Sequence, residues 1–276
     1  MTKIQQIGDT KELRGGIRMP WVGLGVWKTK DDEVTQAVQY ALDAGYRSID
    51  TAAVYGNEAG VGKALQATSI PRDLLFITTK VWNADQGYDS TLRAFEESRR
   101  KLQLEVIDLY LVHWPVKDKY KETWKALVKL QKEGYVRAIG VSNFQPHHLQ
   151  DIIDDSGVVP LVNQVEFHPL LQQTELRAFC RQHEIQLEAW SPLMQGNLDL
   201  PLLSELANKY GKTPAQIILR WDLQHGVVTI PKSVRESRIR ENSDIFDFTL
   251  SDEDMMRIDG LNQNKRFGAD PDNFDF

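Results

Sequence analysis

"DDEVTQAVQYALDAGYRSIDTAAVYGNE", residues 31–58, contains both halves of the unit from which the fold is read. Val34, Ala37, Val38, Ala41 and Leu42 recur at helical spacing, and Gly45 follows as a helix stop. "YRSIDTA" then reads as a strand. Where its apolar stretch gives out, Asp50, Thr51 and Tyr55 bring a carboxylate, a hydroxyl and a phenol together. Taken alone, this is a strand ending in a turn, with Asp50 as a cap and Gly56-Asn57 as the bend.

The same alternation runs on through the chain. "LLFITTK" precedes a helical stretch around Leu92, Phe95 and Leu102, and "VIDLYLVHW" precedes "YKETWKALVKLQKEG". "VRAIGVSN" precedes "HHLQDIID", and "LVNQVEFH" precedes "TELRAFCRQHE". "IQLEAWSP" leads into "LLSELANKYG" and "PAQIILRWDLQ", and "GVVTIPKS" into "SRIREN". With "WVGLGVW" counted first there are about eight strand–helix units. The strands are nearly continuous runs of Val, Ile and Leu, as expected of parallel strands buried on both faces. No linker rich in Pro, Gly or Ser divides the chain. The expectation is therefore an α/β fold, a single (β/α)8 barrel domain (TIM barrel) over residues 1–276. "ELRGGIRMP" reads as a short N-terminal β-hairpin turning at Gly15-Gly16 and closing the bottom of the barrel. The competing fold is an open doubly wound sheet. Its G-x-G-x-x-G signature is poorly matched by "GLGVWK", where Lys28 stands in place of the third glycine. Gly23 and Gly25 read as a tight strand or turn instead.

Bulk properties exclude several classes. The chain has 276 residues, 41% hydrophobic and 26% charged, with a formal net charge of −6. This suits a globular protein and disfavours non-specific binding of nucleic acid or anionic lipid. The single cysteine, Cys180, rules out an intrachain disulfide and sits on one helical face with Leu176, Phe179 and His183, so it should be packed. No signal peptide or bilayer-spanning run is legible. A cytoplasmic protein is expected, and nothing demands more than a monomer. No cluster has zinc-ligand spacing, and His147-His148 is only a pair beside a helix start, so no metal is expected.

The polar and aromatic residues at the strand ends are more informative. They are Trp27, Asp50 with Tyr55, Lys80 with Trp82, His113 with Trp114, Ser142-Asn143, Gln164, Trp190-Ser191 and Lys232-Ser233. In a barrel these ends form one rim, where active sites lie. Any one of them has an ordinary structural reading. Together, Asp50, Tyr55, Lys80 and His113 on neighbouring strands suit carbonyl chemistry. A phenol with a pKa near 10 is a poor acid at pH 7 unless a cation stabilises its phenolate. An ammonium would do so, a carboxylate would keep it charged, and a neutral imidazole could donate to the substrate oxygen.

The motifs "GYRSIDTAAVYGNEAGVG", "ITTKVWN", "DLYLVHWP", "IGVSNF", "NQVEFHP", "AWSPL" and "IPKSVRESRIREN" resemble, in order, those of the aldo-keto reductases. The chain is most similar to the short prokaryotic glyoxal and methylglyoxal reductases and 2,5-diketo-gluconate reductases. The resemblance implies NADPH as cofactor and a small-molecule carbonyl substrate. It implies Tyr55 as proton donor, Lys80 and Asp50 as its activating pair, and His113 as the residue orienting the carbonyl. Ser142, Asn143 and Gln164 would hold the carboxamide, with Trp190 stacked on the nicotinamide. Ser191, Leu193, Gln195, Lys232, Ser233, Val234, Arg238, Glu241 and Asn242 would surround the pyrophosphate and adenosine. Trp27, Trp82 and Trp114 would wall the substrate pocket.

Departures from the pattern are Val26 and Arg235 where threonine is frequent, and Trp190 where tyrosine is frequent. "WPVKDKY", "LMQGNLDLP" and the tail "RFGADPDNFDF" are short, which implies an open pocket and a less enclosed cofactor. An NADPH-dependent reductase of small aldehydes is the expected function. The alternatives are a sugar-keto-acid reductase and a non-catalytic NADPH-binding regulatory barrel.

Overall fold

The computed structural model describes residues 4–276. Two short strands, β1 (Thr10–Glu12) and β2 (Arg18–Pro20), pair antiparallel as the expected hairpin. Its turn is a single 3-10 turn over Arg14–Gly16, longer than a bend at the two glycines alone. Arg14 donates to the carbonyls of Val159 and Pro160, just before a barrel strand begins, so the hairpin lies at the N-terminal end of the barrel.

The eight strands that follow are β3 (Leu24–Gly25), β4 (Ser48–Asp50), β5 (Phe76–Val81), β6 (Ile107–Val112), β7 (Val136–Ser142), β8 (Val162–Glu166), β9 (Gln186–Trp190) and β10 (Val228–Thr229). They are parallel and neighbours in chain order. The first and last strands meet through single bridges, Val22 to Thr229 and Gly25 to Lys232. A Cβ on Gly25 would stand 2.8 Å from the Ile230 carbonyl oxygen, so this glycine serves the close approach that shuts the barrel.

Among the described residues, ten α-helices surround the sheet. They are α1 (Asp31–Asp43), α2 (Glu58–Ala67), α3 (Tyr88–Leu102), α4 (Tyr120–Lys132), α5 (Pro146–Ser156), α6 (Thr174–Gln182), α7 (Pro201–Tyr210), α8 (Pro214–Gln224), α9 (Glu236–Ser243) and α10 (Asp252–Asp259). Two of these, α2 and α10, have no counterpart among the helices read from the sequence. Each strand buries both faces, one toward the barrel interior and one toward the helices, which accounts for the unbroken apolar runs. Cys180 packs on the inner face of α6, and burial pushes its thiol up to about 12. No helix among the described residues is long and apolar enough to cross a membrane.

Candidate active site

The stretch after β4 is held from within. Thr51 donates its hydroxyl hydrogen to Asn57 Oδ1 at 2.7 Å, and Asn57 Nδ2 donates to the carbonyls of Val26 and Thr29. This buried clamp fixes the 3-10 turn Ala53–Tyr55 and directs Tyr55 over the barrel mouth. Asn57 is thus more than the turn former read from the sequence.

Beneath Tyr55 lies a buried ion pair. Lys80, at the end of β5, donates to Asp50 Oδ1 at 2.6 Å and to the Thr51 carbonyl at 2.8 Å. Its ammonium stands 5.1 Å from the centroid of the Tyr55 ring. The ring of His113 meets Tyr55 edge-on at 5.7 Å and Trp82 at 5.2 Å. The four residues expected to act together are therefore one cluster.

Burial and neighbouring charges shift each of the four groups. Burial works against the Lys80 charge, but Asp50 and the neighbouring phenol hold its pKa above the ordinary range. Burial pushes the Asp50 carboxyl up, while Lys80 and a hydrogen bond from Gln164 pull it back. Burial raises the Tyr55 phenol, and the Lys80 charge opposes that rise. Burial first, then Lys80, hold His113 well below the ordinary imidazole range, so its ring is neutral at pH 7. His113 Nδ1 is buried without a hydrogen-bond partner among the described residues.

The adjoining strand ends form a second group. Gln164 donates to Asp50 Oδ2 and to Glu188 Oε2, and Ser142 donates to the Gln164 carbonyl at 2.8 Å. Asn143, with φ of 64°, donates to the His113 carbonyl and accepts from the Trp190 indole at 2.9 Å. Ser191, Leu193 and Gln195 follow Trp190 in the next connection. Beyond β10 lie Lys232, Ser233, Val234 and α9, which carries Arg238, Glu241 and Asn242. Ser233 caps the Arg235 backbone, and Glu241 accepts from Thr213. Arg240 pairs with Glu236, whereas Lys232, Arg235 and Arg238 make no ion pair among the described residues.

The C-terminal tail changes the expected pocket. Phe276 stacks on Trp82 with ring centroids 5.9 Å apart and meets Trp114 edge-on at 5.1 Å. Phe274 packs against Trp114 as well, and Asn83 donates to the Phe276 carbonyl at 2.9 Å. The open mouth inferred from short loops is thus partly walled by the tail, while Trp27 stands 42% exposed at its edge. Buried Glu166 accepts from the backbone N–H groups of Phe267 and Gly268. A Cβ on Gly268 would fall 2.4 Å from the Trp190 ring, so glycine lets the tail cross that aromatic. Asp272 joins the His147-His148 pair, 3.0 Å from His147 Nε2. His148 Nδ1 accepts from the Gln145 N–H, which leaves the proton of a neutral ring on Nε2, facing Asp272. The contact between His147 and Asp272 holds the tail, and on this tautomer His148 Nε2 carries a proton and has no lone pair for a metal.

Sequence reasoning missed Asn57, Glu166, Glu188 and the two tail phenylalanines. A charged residue within an apolar strand was the available signal for Glu166 and Glu188. Nothing local marked the phenylalanines.

A phenol above a buried ion pair, beside a neutral imidazole at the C-terminal mouth of a barrel, is an arrangement suited to an oxidoreductase acting on carbonyl groups. The chain belongs to the Aldo/keto reductase family, whose model matches residues 15–263. It is 60% identical to glyoxal reductase of Bacillus subtilis, covering 96% of each chain. It is 54% identical to methylglyoxal reductase DkgA of Escherichia coli, covering 95% of this chain and 97% of that one. A mutant of Gox0644 solved in complex with NADPH superimposes with a TM-score of 0.93 at 49% identity, over 97% of this chain and 98% of that one. A Bombyx mori aldo-keto reductase in complex with NADP gives 0.90 at 37% identity, over 98% and 97%.

Proposed function

We propose that this protein, as one barrel domain, reduces small aldehydes and 2-oxoaldehydes such as glyoxal and methylglyoxal, with Tyr55 as proton donor. The observation that carries the reading is the Asp50–Lys80 pair buried directly beneath the Tyr55 ring. The hydride for the carbonyl carbon would come from NADPH when it is bound. Tyr55 gives its proton to the carbonyl oxygen as that bond becomes an alkoxide. Lys80 stabilises the phenolate left behind, and Asp50 holds Lys80 charged and in place. His113, being neutral, orients the carbonyl by donating one hydrogen bond. Solvent returns the proton to Tyr55.

The residues fit the cofactor. Both hydrogens of the Gln164 amide are engaged by carboxyl groups, so its oxygen remains to accept from a carboxamide. Ser142 and Asn143 lie beside it, and Trp190 offers a flat ring for nicotinamide. Ser191, Leu193, Gln195, Ser233, Val234, Glu241 and Asn242 are the residues we assign to the pyrophosphate and adenosine. NADPH oxidation followed with glyoxal, methylglyoxal, simple aromatic aldehydes, a 2,5-diketo sugar acid and steroid ketones tests the reading. The small aldehydes should give the higher kcat/KM. A ranking led by steroid ketones would refute it.

Lys232, Arg235 and Arg238 are exposed cations near the start of a helix, where cations oppose the helix dipole. An anionic partner resolves that conflict, and the 2′-phosphate of NADPH is one. Loss of a charge-assisted hydrogen bond typically costs about 1.5–3 kcal/mol, roughly ten- to a hundredfold in affinity. Arg238→Ala and Lys232→Ala should each weaken NADPH by that order while changing NADH little, as read by quenching of tryptophan fluorescence. Equal losses for both cofactors would mean that these side chains do not read the phosphate.

A further inference from the structure

Glu188 sits in the middle of β9, fully buried, and the sequence assigned it no role. Gln164 has two amide hydrogens. One goes to Asp50 Oδ2 at 2.6 Å and the other to Glu188 Oε2 at 2.8 Å. Asp50 Oδ1 is in turn bound by Lys80 at 2.6 Å. Two carboxyl groups thus share one amide, and Asp50 also holds the cation. The groups facing Glu188 are Asp50 from β4, Lys80 from β5 and Gln164 from β8, while Val228 and Thr229 on β10 carry no charge. Glu188 Oε1 is buried with no hydrogen-bond partner among the described residues. A fully satisfied structural network would not leave that atom bare.

We propose that Glu188 is a positioning residue of the catalytic cluster: through Gln164 it holds the amide oxygen toward the nicotinamide carboxamide, and its charge state sets how strongly Lys80 acts on Tyr55. The inference rests on the reading of Tyr55 as proton donor. Burial, then the Asp50 carboxylate, push the Glu188 carboxyl up to about 8. Below that pH Glu188 is neutral and Lys80 has one counter-charge. Above it, two negative charges act on Lys80, its pull on the phenol weakens, and Tyr55 becomes a poorer acid. Lys80 and Tyr55 are themselves held above their ordinary ranges and His113 below its own, so none of the three competes near pH 8. The alkaline step belongs to the Asp50–Glu188 pair, from which a substitution at 188 removes one member.

Two variants test this, with kcat for a small aldehyde measured from pH 6 to pH 10 and NADPH affinity by fluorescence titration. In the parent protein, reduction should decline around pH 8. In Glu188→Gln, which cannot ionise, that decline should move up by about one unit or more. Glu188→Leu removes the acceptor and should weaken NADPH by about three- to tenfold. Glu188→Gln keeps an oxygen that accepts from Gln164 and should recover most of that loss. Coincident pH profiles for the parent and Glu188→Gln would overturn the proposal, as would Glu188→Gln binding as poorly as Glu188→Leu. If Glu188→Leu does not fold, the Glu188→Gln profile decides alone. Tyr55→Phe is assayed alongside. If it retains turnover, the proton-donor reading fails and takes this proposal with it. If it collapses while the two profiles coincide, only the role of Glu188 falls.

Discussion

Tyr55→Phe should lower kcat by about 10²–10⁴, the usual contribution of a positioned general acid, while NADPH still binds. The substitution keeps the ring, so the edge-on contact with His113 and the position above Lys80 survive. Only the exchangeable proton is lost. Because binding is retained, the loss should appear equally in kcat and kcat/KM, which marks an interaction made in the transition state. Single-turnover kinetics with bound NADPH would separate this from slow product release. Turnover within a few-fold of the parent would assign proton donation to another group, with His113 the nearest candidate.

Lys80→Met should damage both activity and stability. Among the described residues, Lys80 is the only cation hydrogen-bonded to the buried Asp50 carboxylate. Breaking a buried pair by removing one partner typically costs about 3–5 kcal/mol, because the remaining charge is stranded. The phenol also loses the cation that opposes its burial, so kcat should fall by about 10² or more. The double variant Asp50→Asn/Lys80→Met separates the two effects. With no stranded charge it should regain most of the stability, measured by denaturant unfolding, and none of the activity. A single variant as stable as the parent would mean that the pair carries no net cost when broken. A double variant that recovers turnover would remove Lys80 from the chemistry.

The sequence by itself determined the alternation of strands and helices, and with it the barrel. Its signals are local: apolar runs, helical spacing and stop glycines act within a few residues. It also determined that Asp50, Tyr55, Lys80 and His113 would meet, because equivalent ends of consecutive parallel strands are neighbours in any closed barrel. Where a local signal was compromised, the reading stopped. Helix α2 contains Gly60 and Gly62, which weaken a helical pattern. The structure supplies the reason for the first: a Cβ at Gly60 would stand 2.4 Å from the Asp31 carbonyl, so close packing against α1 overrides propensity. Helix α10 is short, with three acids in its first turn under the Ser251 cap.

Only the tertiary structure decided which partners act across the barrel. Gln164 reaches Asp50 from 114 residues away, and nothing in either strand encodes that its second hydrogen goes to Glu188. That choice depends on the register of β8 with β9, which pairs Gln164 with Glu188, and on barrel curvature, which brings Asp50 across. The tail is a similar case. "RFGADPDNFDF" has no periodicity to read, yet Glu166, His147 and Asn83 hold it while Phe274 and Phe276 pack on Trp114 and Trp82. Such contacts join residues remote in the chain, so they exist only once closure has brought their surfaces together.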